Sequence, residues 1–115
     1  MPQFEDAQAQ RAQARFIRQS MAEPLLSRDR EYLLARSWRE DGDEDSLQEL
    51  IRAYTRLVVS LATKFRNYGL PMSDLIQEGT LGLLQAASRF EPERNVRFST
   101  YASWWIRSAM QDEIL

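Results

Sequence analysis

Between Leu47 and Phe65 the chain places apolar residues every three or four positions: Leu47, Leu50, Ile51, Tyr54, Leu57, Val58, Leu61, Ala62 and Phe65. That period matches the 3.6-residue turn of an α-helix and not the two-residue alternation of a strand, so this stretch reads as an amphipathic helix with one buried face. Ser46, with Glu49 three residues on, reads as its N-cap and capping box. Asn67-Tyr68-Gly69-Leu70-Pro71 ends it, because Gly69 can take the left-handed cap and Pro71 cannot continue the helix. An earlier helix starts at the N-cap candidate Ser27, with Asp29 and Glu31 near its positive end and Tyr32, Leu33, Ala35 and Trp38 as an apolar stripe. Gly42 and its acidic neighbours break it. Ser73 opens a further helix to about Ser88, Phe90-Glu91-Pro92-Glu93 is a loop, and a last helix runs from near Ser99 toward Leu115. No strand pattern, repeat or low-complexity tract competes. The expectation is an all-α fold, a compact bundle of about four helices over residues 25–115. Residues 1–24, rich in Ala, Gln and Arg, form a flexible or frayed helical arm that ends at Pro24. The chain stops inside a helical pattern without a cap, as a segment of a longer protein would.

Composition removes several functions. A chain of 115 residues holds one domain with a modest core. It has no cysteine and no histidine, which removes disulfides, thiolate metal sites and the commonest general base and metal ligand. Asp74 and Glu78 are an i, i+4 carboxylate pair, but without a third acid at helical spacing they read as a solvated face and not as a metal or acid/base site. The expectation is a protein that is not an enzyme and takes no cofactor or metal. No apolar run is long enough to cross a bilayer and no signal peptide is visible, so the expected location is cytoplasmic, with no membrane partner.

The net charge of −2 is unevenly spread. Asp41, Asp43, Glu44 and Asp45 cluster mid-chain, whereas no acid occurs between Glu93 and Asp112, a span that holds Arg94, Arg97 and Arg107. In the last helix Ala102, Ile106, Ala109 and Met110 make a core stripe, with Trp105 at its edge. The other side presents Tyr101, Trp104, Ser108 and Gln111, flanked by Arg107. Neighbouring residues in a helix point about 100° apart, so Trp104 and Trp105 cannot both face one narrow core. Aromatic faces beside arginines suit unpaired bases and their phosphates, while Ser and Gln can reach base edges. In the Ser73–Ser88 helix, Leu75, Ile76, Gly79, Leu83, Ala86 and Ala87 suffice as the core stripe. Leu81 and Leu84 then lie among Asp74, Gln77, Glu78 and Gln85 on the opposite face, which reads as a protein-binding patch. The rival reading is a helical protein–protein adaptor whose aromatic face grips a partner helix without binding DNA.

Asp74-Leu75-Ile76-Gln77-Glu78-Gly79, Leu81-Gly82-Leu83-Leu84, Phe90 and the run from Arg97-Phe98-Ser99-Thr100-Tyr101-Ala102-Ser103 to Trp104-Trp105-Ile106-Arg107 resemble the second conserved region of bacterial RNA polymerase sigma factors. The similarity reaches back through Tyr68-Gly69-Leu70-Pro71 and Arg56-Leu57-Val58-Val59, and Pro92 to Arg97 and Gln111 to Leu115 are most similar to the heat-shock (RpoH-type) alternative group. The resemblance implies a sigma core domain that binds core RNA polymerase and recognises and melts the promoter minus-ten element, for stress or heat-shock genes. It assigns Asp74, Gln77, Glu78, Thr80, Leu81 and Leu84 to the clamp helices of the largest polymerase subunit. To the minus-ten element, and above all its non-template strand, it assigns Arg94, Arg97, Phe98, Thr100, Tyr101, Trp104, Trp105, Arg107, Ser108 and Gln111. Within that set an extruded adenine enters an aromatic pocket, the tryptophan pair wedges against the last intact base pair, Ser108 and Gln111 read the upstream edge, and Arg94 and Arg97 lie near the phosphates. The family's later promoter-binding domains have no counterpart in these residues, and an anti-sigma factor or chaperone is a further partner that the resemblance allows. There are departures. Val96 stands where primary sigma factors carry an aromatic. Thr80 stands where an Asn is usual. Tyr54 and Thr55 replace an Asn-Leu pair at a second base pocket. Ser108 and Gln111 replace Gln and Thr, which implies a different preferred sequence.

Overall fold

The structure, a computed structural model, describes the backbone of residues 2–114 and the side chains of residues 7–114. Five α-helices follow in order: α1 (Pro2–Ala22), α2 (Arg28–Asp41), α3 (Glu44–Phe65), α4 (Met72–Arg89) and α5 (Phe98–Ile114), with a 3₁₀ turn at Arg66–Tyr68 after α3. All regular structure among the described residues is helical. Helices α2 to α5 are the four of the bundle, and α1 adds a fifth where the sequence reads as a frayed or flexible arm.

The strongly periodic helix lies at the centre: α3 touches α1, α2, α4 and α5. Its Leu50 and Val58 join Leu75 and Leu83 of α4 and Phe98, Ile106 and Met110 of α5 as the largest fully buried side chains. The closest partnership is between α4 and α5, and glycine permits it. A Cβ on Gly82 would lie 2.7 Å from the Trp105 carbonyl oxygen and 3.1 Å from both the Ala109 Cβ and the Ile106 Cα, so only a hydrogen lets the helices approach this far. Gly69 takes φ 92°, the left-handed conformation that ends the α3 segment and lets the chain reverse into α4.

Two local expectations differ from what is observed. Ser27 does cap α2, its side chain accepting from the Arg30 amide at 3.1 Å, but the buried stripe of that helix is Glu31, Leu34 and Ala35, while Tyr32 and Leu33 are exposed. The helix is rotated because Glu31 has partners inside the bundle. Helix α3 starts two residues before Ser46, behind Asp43 at the N-cap. The Ser46 hydroxyl donates to the Asp43 carboxylate at 2.6 Å, and Glu49 turns away to Arg30 at 2.7 Å, so no capping box forms. Helix α1 lies against α3 with Ser20 as its only buried side chain among those described. The radius of gyration, 15.2 Å, exceeds the roughly 13 Å of a compact chain this long.

Candidate nucleic-acid interface

Helix α5 buries Phe98, Ala102, Ile106 and Met110, a four-residue step that defines one side. The opposite side carries Thr100, Trp104, Arg107 and Gln111, all exposed, with Ser108 half-buried beside them. Trp104 is 72% exposed, the most of any described large hydrophobic residue. An indole that far in water forgoes most of its burial gain, so packing alone does not explain its position. Tyr101 and Trp105 flank this side and are half-buried. The Tyr101 ring centroid lies 5.5 Å from that of Phe90 and 6.3 Å from that of Trp105. The Arg89 guanidinium sits 5.2 Å from the Trp105 ring centroid, within cation–π range. These contacts pack Tyr101 and Trp105 on their neighbours while leaving both partly exposed.

Beside Tyr101 is a recess of about 200 Å³ lined by Arg89, Phe90, Glu91, Arg94, Val96 and Tyr101. It combines two aromatic rings with two guanidinium groups, the chemistry that stacks a planar base and neutralises its phosphate. A larger cleft of about 390 Å³ separates α2 from the loop before α5, with Arg28, Tyr32, Pro92, Asn95 and Val96 among its walls. Arg28 donates to the Asn95 side-chain oxygen at 2.6 Å across it.

Two residues of the expected DNA-contacting set are engaged elsewhere. Phe98 is wholly buried, its ring centroid 5.4 Å from that of Tyr54 and 5.2 Å from that of Phe90, so it is a core residue and offers no surface to a base. Arg97 is held by the Glu31 carboxylate at 2.9 Å and is not a free cation. Arg94 pairs with Glu91 at 3.0 Å but stays exposed, where such a pair is weak and easily exchanged for a phosphate. Tyr54 is buried with its hydroxyl donating to Glu31, so its ring fills this part of the core. Arg89 was not evident from sequence: it closes α4, and only the approach of α4 to α5 brings it over Trp105.

Burial pushes the Glu31 carboxyl up, but hydrogen bonds from Arg97, Tyr54 and the Phe98 amide outweigh that and hold it below the ordinary carboxylate range. Burial, and then the hydrogen bond to Glu31, raises the Tyr54 hydroxyl above its ordinary value. The Glu31 hydrogen bond in turn raises Arg97, so the guanidinium stays charged.

On α4, the outward face carries Asp74, Gln77, Leu81, Leu84 and Gln85, all exposed, with Glu78 half-buried. Leu81 is 50% exposed and Leu84 39%, so both expected apolar contacts stand at the surface within a polar frame. Thr80 is half-buried, and its hydroxyl donates to the Ile76 carbonyl at 2.7 Å, within its own helix. A groove of about 300 Å³ between α4 and α5, lined by Glu78, Leu81, Gln85, Trp105, Ser108 and Asp112 among others, joins this face to the aromatic one. Among the described residues no group of three or more acidic side chains could hold a metal ion, and no helix is long and apolar enough to cross a membrane.

Residues 50–115 match the family described as Sigma-70 region 2. The chain is 41% identical over 102 residues to the RNA polymerase sigma factor RpoH of Caulobacter vibrioides, covering 89% of the chain and 35% of that protein. It is 44% identical over 92 residues to RpoH of Zymomonas mobilis, covering 80% of the chain and 30% of the relative. It is 45% identical over 100 residues to the sigma factor RpoS of Coxiella burnetii, covering 87% of the chain and 28% of the relative. The chain thus spans about a third of the length of the curated relatives it matches.

Proposed function

Since the chain belongs to the Sigma-70 region 2 family and is similar to the sigma factors RpoH and RpoS, we propose that it is the part of an alternative sigma factor that docks on core RNA polymerase and opens the promoter minus-ten element. In this reading it acts in the cytoplasm, performs no catalysis of its own and serves the initiation of stress or heat-shock genes. Helix α4 meets the clamp helices of the largest polymerase subunit through Asp74, Gln77, Glu78, Leu81 and Leu84, with Thr80 at the border of the contact. Helix α5 meets the non-template strand through Thr100, Tyr101, Trp104, Trp105, Arg107, Ser108 and Gln111, with Arg94 on the phosphates. The recess beside Tyr101 takes an extruded adenine.

The observation that carries this reading is the exposure of Trp104 at 72% on the side of α5 opposite its buried stripe. The energetics agree. Unstacking a base costs a few kcal/mol, and stacking on an aromatic side chain returns about 1–3 kcal/mol. The two nearly cancel, so melting needs an added contribution, which a second helix bound to polymerase can supply by holding α5 against the DNA. The close packing of α4 on α5 at Gly82 links the position of one surface to that of the other.

The test is binding of a fluorescent non-template minus-ten oligonucleotide to the chain complexed with core polymerase. Trp104→Ala should weaken oligonucleotide binding by about 1–3 kcal/mol and leave polymerase retention and thermal stability unchanged. Leu84→Ala should weaken retention on polymerase. If both substitutions reduce both activities equally, the two-face assignment is wrong.

A further inference from the structure

Among the described residues, no side chain from the segment leading into α5 caps its first turn. That turn starts behind Arg97, whose carbonyl accepts from the Tyr101 amide at 3.2 Å. The arginine side chain carries only donors and so cannot satisfy the free amides of that turn. Asn95, a residue type that caps helices, is bonded to Arg28 instead. The missing acceptor comes from α2. Glu31 is 3% exposed, and its Oε2 accepts from the Phe98 amide at 2.9 Å. The same carboxylate accepts from Arg97 Nε at 2.9 Å and Nη2 at 3.2 Å, and from the Tyr54 hydroxyl. Arg97 Nη2 also reaches the Leu26 carbonyl at 3.4 Å, in the segment entering α2. Thus a buried carboxylate on one helix, a hydroxyl on a second and a guanidinium and an amide at the start of a third close on a single point.

Resting on the function proposed above, we propose that Glu31 is the positioning residue of the recognition helix, capping α5 from α2, and that Arg97 is its partner in this latch and not a ligand for DNA phosphate. The geometry suits that role. Both forks of Arg97 meet the two oxygens of Glu31, and such a pair has a defined orientation that a point charge lacks. The negative carboxylate lies at the positive end of the α5 dipole. Phe98, the residue whose amide is held, is itself locked between the rings of Tyr54 and Phe90. Thr100, Tyr101 and Trp104 follow within two turns, so their approach to an unpaired strand depends on where this first turn is anchored.

The latch and a direct phosphate contact give opposite signs in one experiment. Glu31→Gln keeps the shape and one acceptor but removes the charge that holds Arg97. If the latch positions α5, this variant binds the non-template oligonucleotide about tenfold or more weakly, retains its grip on core polymerase, and loses hydrogen-exchange protection at the Phe98–Tyr101 amides relative to those of α3. If Arg97 instead serves phosphate, freeing it tightens binding, and that result overturns the proposal, as does unchanged protection of the first turn. Should Glu31→Gln not fold, Arg97→Gln decides: the latch predicts weaker binding with the same salt dependence, whereas losing a phosphate contact lowers the slope of log K against log salt by about 0.7. A wild-type chain that ignores the oligonucleotide would sink the DNA-binding reading, while the exchange measurement would still judge the latch on its own.

Discussion

Helices α5 and α1 are similar in length and are held in contrasting ways. Helix α5 buries one complete side, meets α4 across a glycine, and has its first amide held by a carboxylate from α2. Helix α1 lies on α3 through a side that, among the described residues, buries only Ser20, and between Asp6 and Glu23 it carries arginines but no acid. Both are regular helices, yet only α5 is held by the rest of the molecule at its start, along its side and at its seam. Under the proposed function, a helix that presents an indole to a strand at a set angle gains from such restraint, whereas a polar arm does not need it. Local regularity therefore says little about local stability, which follows the buried contacts.

The largest effect should come from removing the anchor of α5. Phe98→Ala would leave a cavity between Tyr54 and Phe90, and a buried Phe→Ala change costs about 3–5 kcal/mol. Denaturant unfolding should register this as a large fall in midpoint. A loss below about 1 kcal/mol would mean that Phe98 is surface-exposed in solution and available to DNA after all. Next comes the seam. Gly82→Ala pushes a methyl group toward the Trp105 carbonyl, which is backbone and cannot rotate away. Overpacking of this kind costs about 1–3 kcal/mol. Because the displaced residue neighbours Trp104, oligonucleotide binding should fall together with stability, unlike the Trp104→Ala case, where binding falls alone.

Acid should loosen α5 before it affects α1. The Glu31 carboxyl is held below its ordinary 4.5 in the folded chain, so the folded state binds fewer protons than the unfolded chain near that pH. The stability contributed is complete above the unfolded value and is lost as pH falls through the lower folded value. Thermal midpoints measured from pH 7 down to 3 should drop over the acid end of that range, and the part due to this group should vanish in Glu31→Gln. An equal drop in both proteins would place the acid sensitivity in other carboxylates.

How far α5 and its neighbours were legible depended on whether the information was local. The α3 period, the Gly69 stop, the outward leucines of α4 and the buried stripe of α5 all follow from spacing along one helix; the structure differs in detail, with Leu47, Ile51, Leu57 and Phe65 half-buried and Ala53 and Val59 added to the α3 face, and with Ala109 half-buried and Phe98 added to the α5 stripe. Glu31 was legible only as an acid near a helix start. Its burial requires Arg97, 66 positions later, and no periodicity carries that pairing. Phe98 reads as one ring in an aromatic run, and what removes it from the surface is Tyr54 and Phe90 arriving from other segments. Ser46 reads as a cap because Glu49 stands three residues on, but Glu49 is taken by Arg30 from α2, and the helix starts at Glu44 behind Asp43.

The smallest effect should be on the arm, and it tests the contrast from the other side. Ala14 lies exposed in the middle of α1, and glycine there disfavours the helix by about 1 kcal/mol. If α1 opened only together with the bundle, the full cost would appear in global unfolding. If it opens on its own, with few buried contacts resisting, the penalty is absorbed by an arm already partly unfolded and the midpoint moves by less than about 0.5 kcal/mol. Hydrogen exchange supplies the matching measurement: α1 amides should open far more readily than those at the start of α5, and Ala14→Gly should widen that gap without changing α5. Exchange of α1 as slow as that of α5 would show that the arm belongs to the same cooperative unit and that burial is a poor guide to restraint in this molecule.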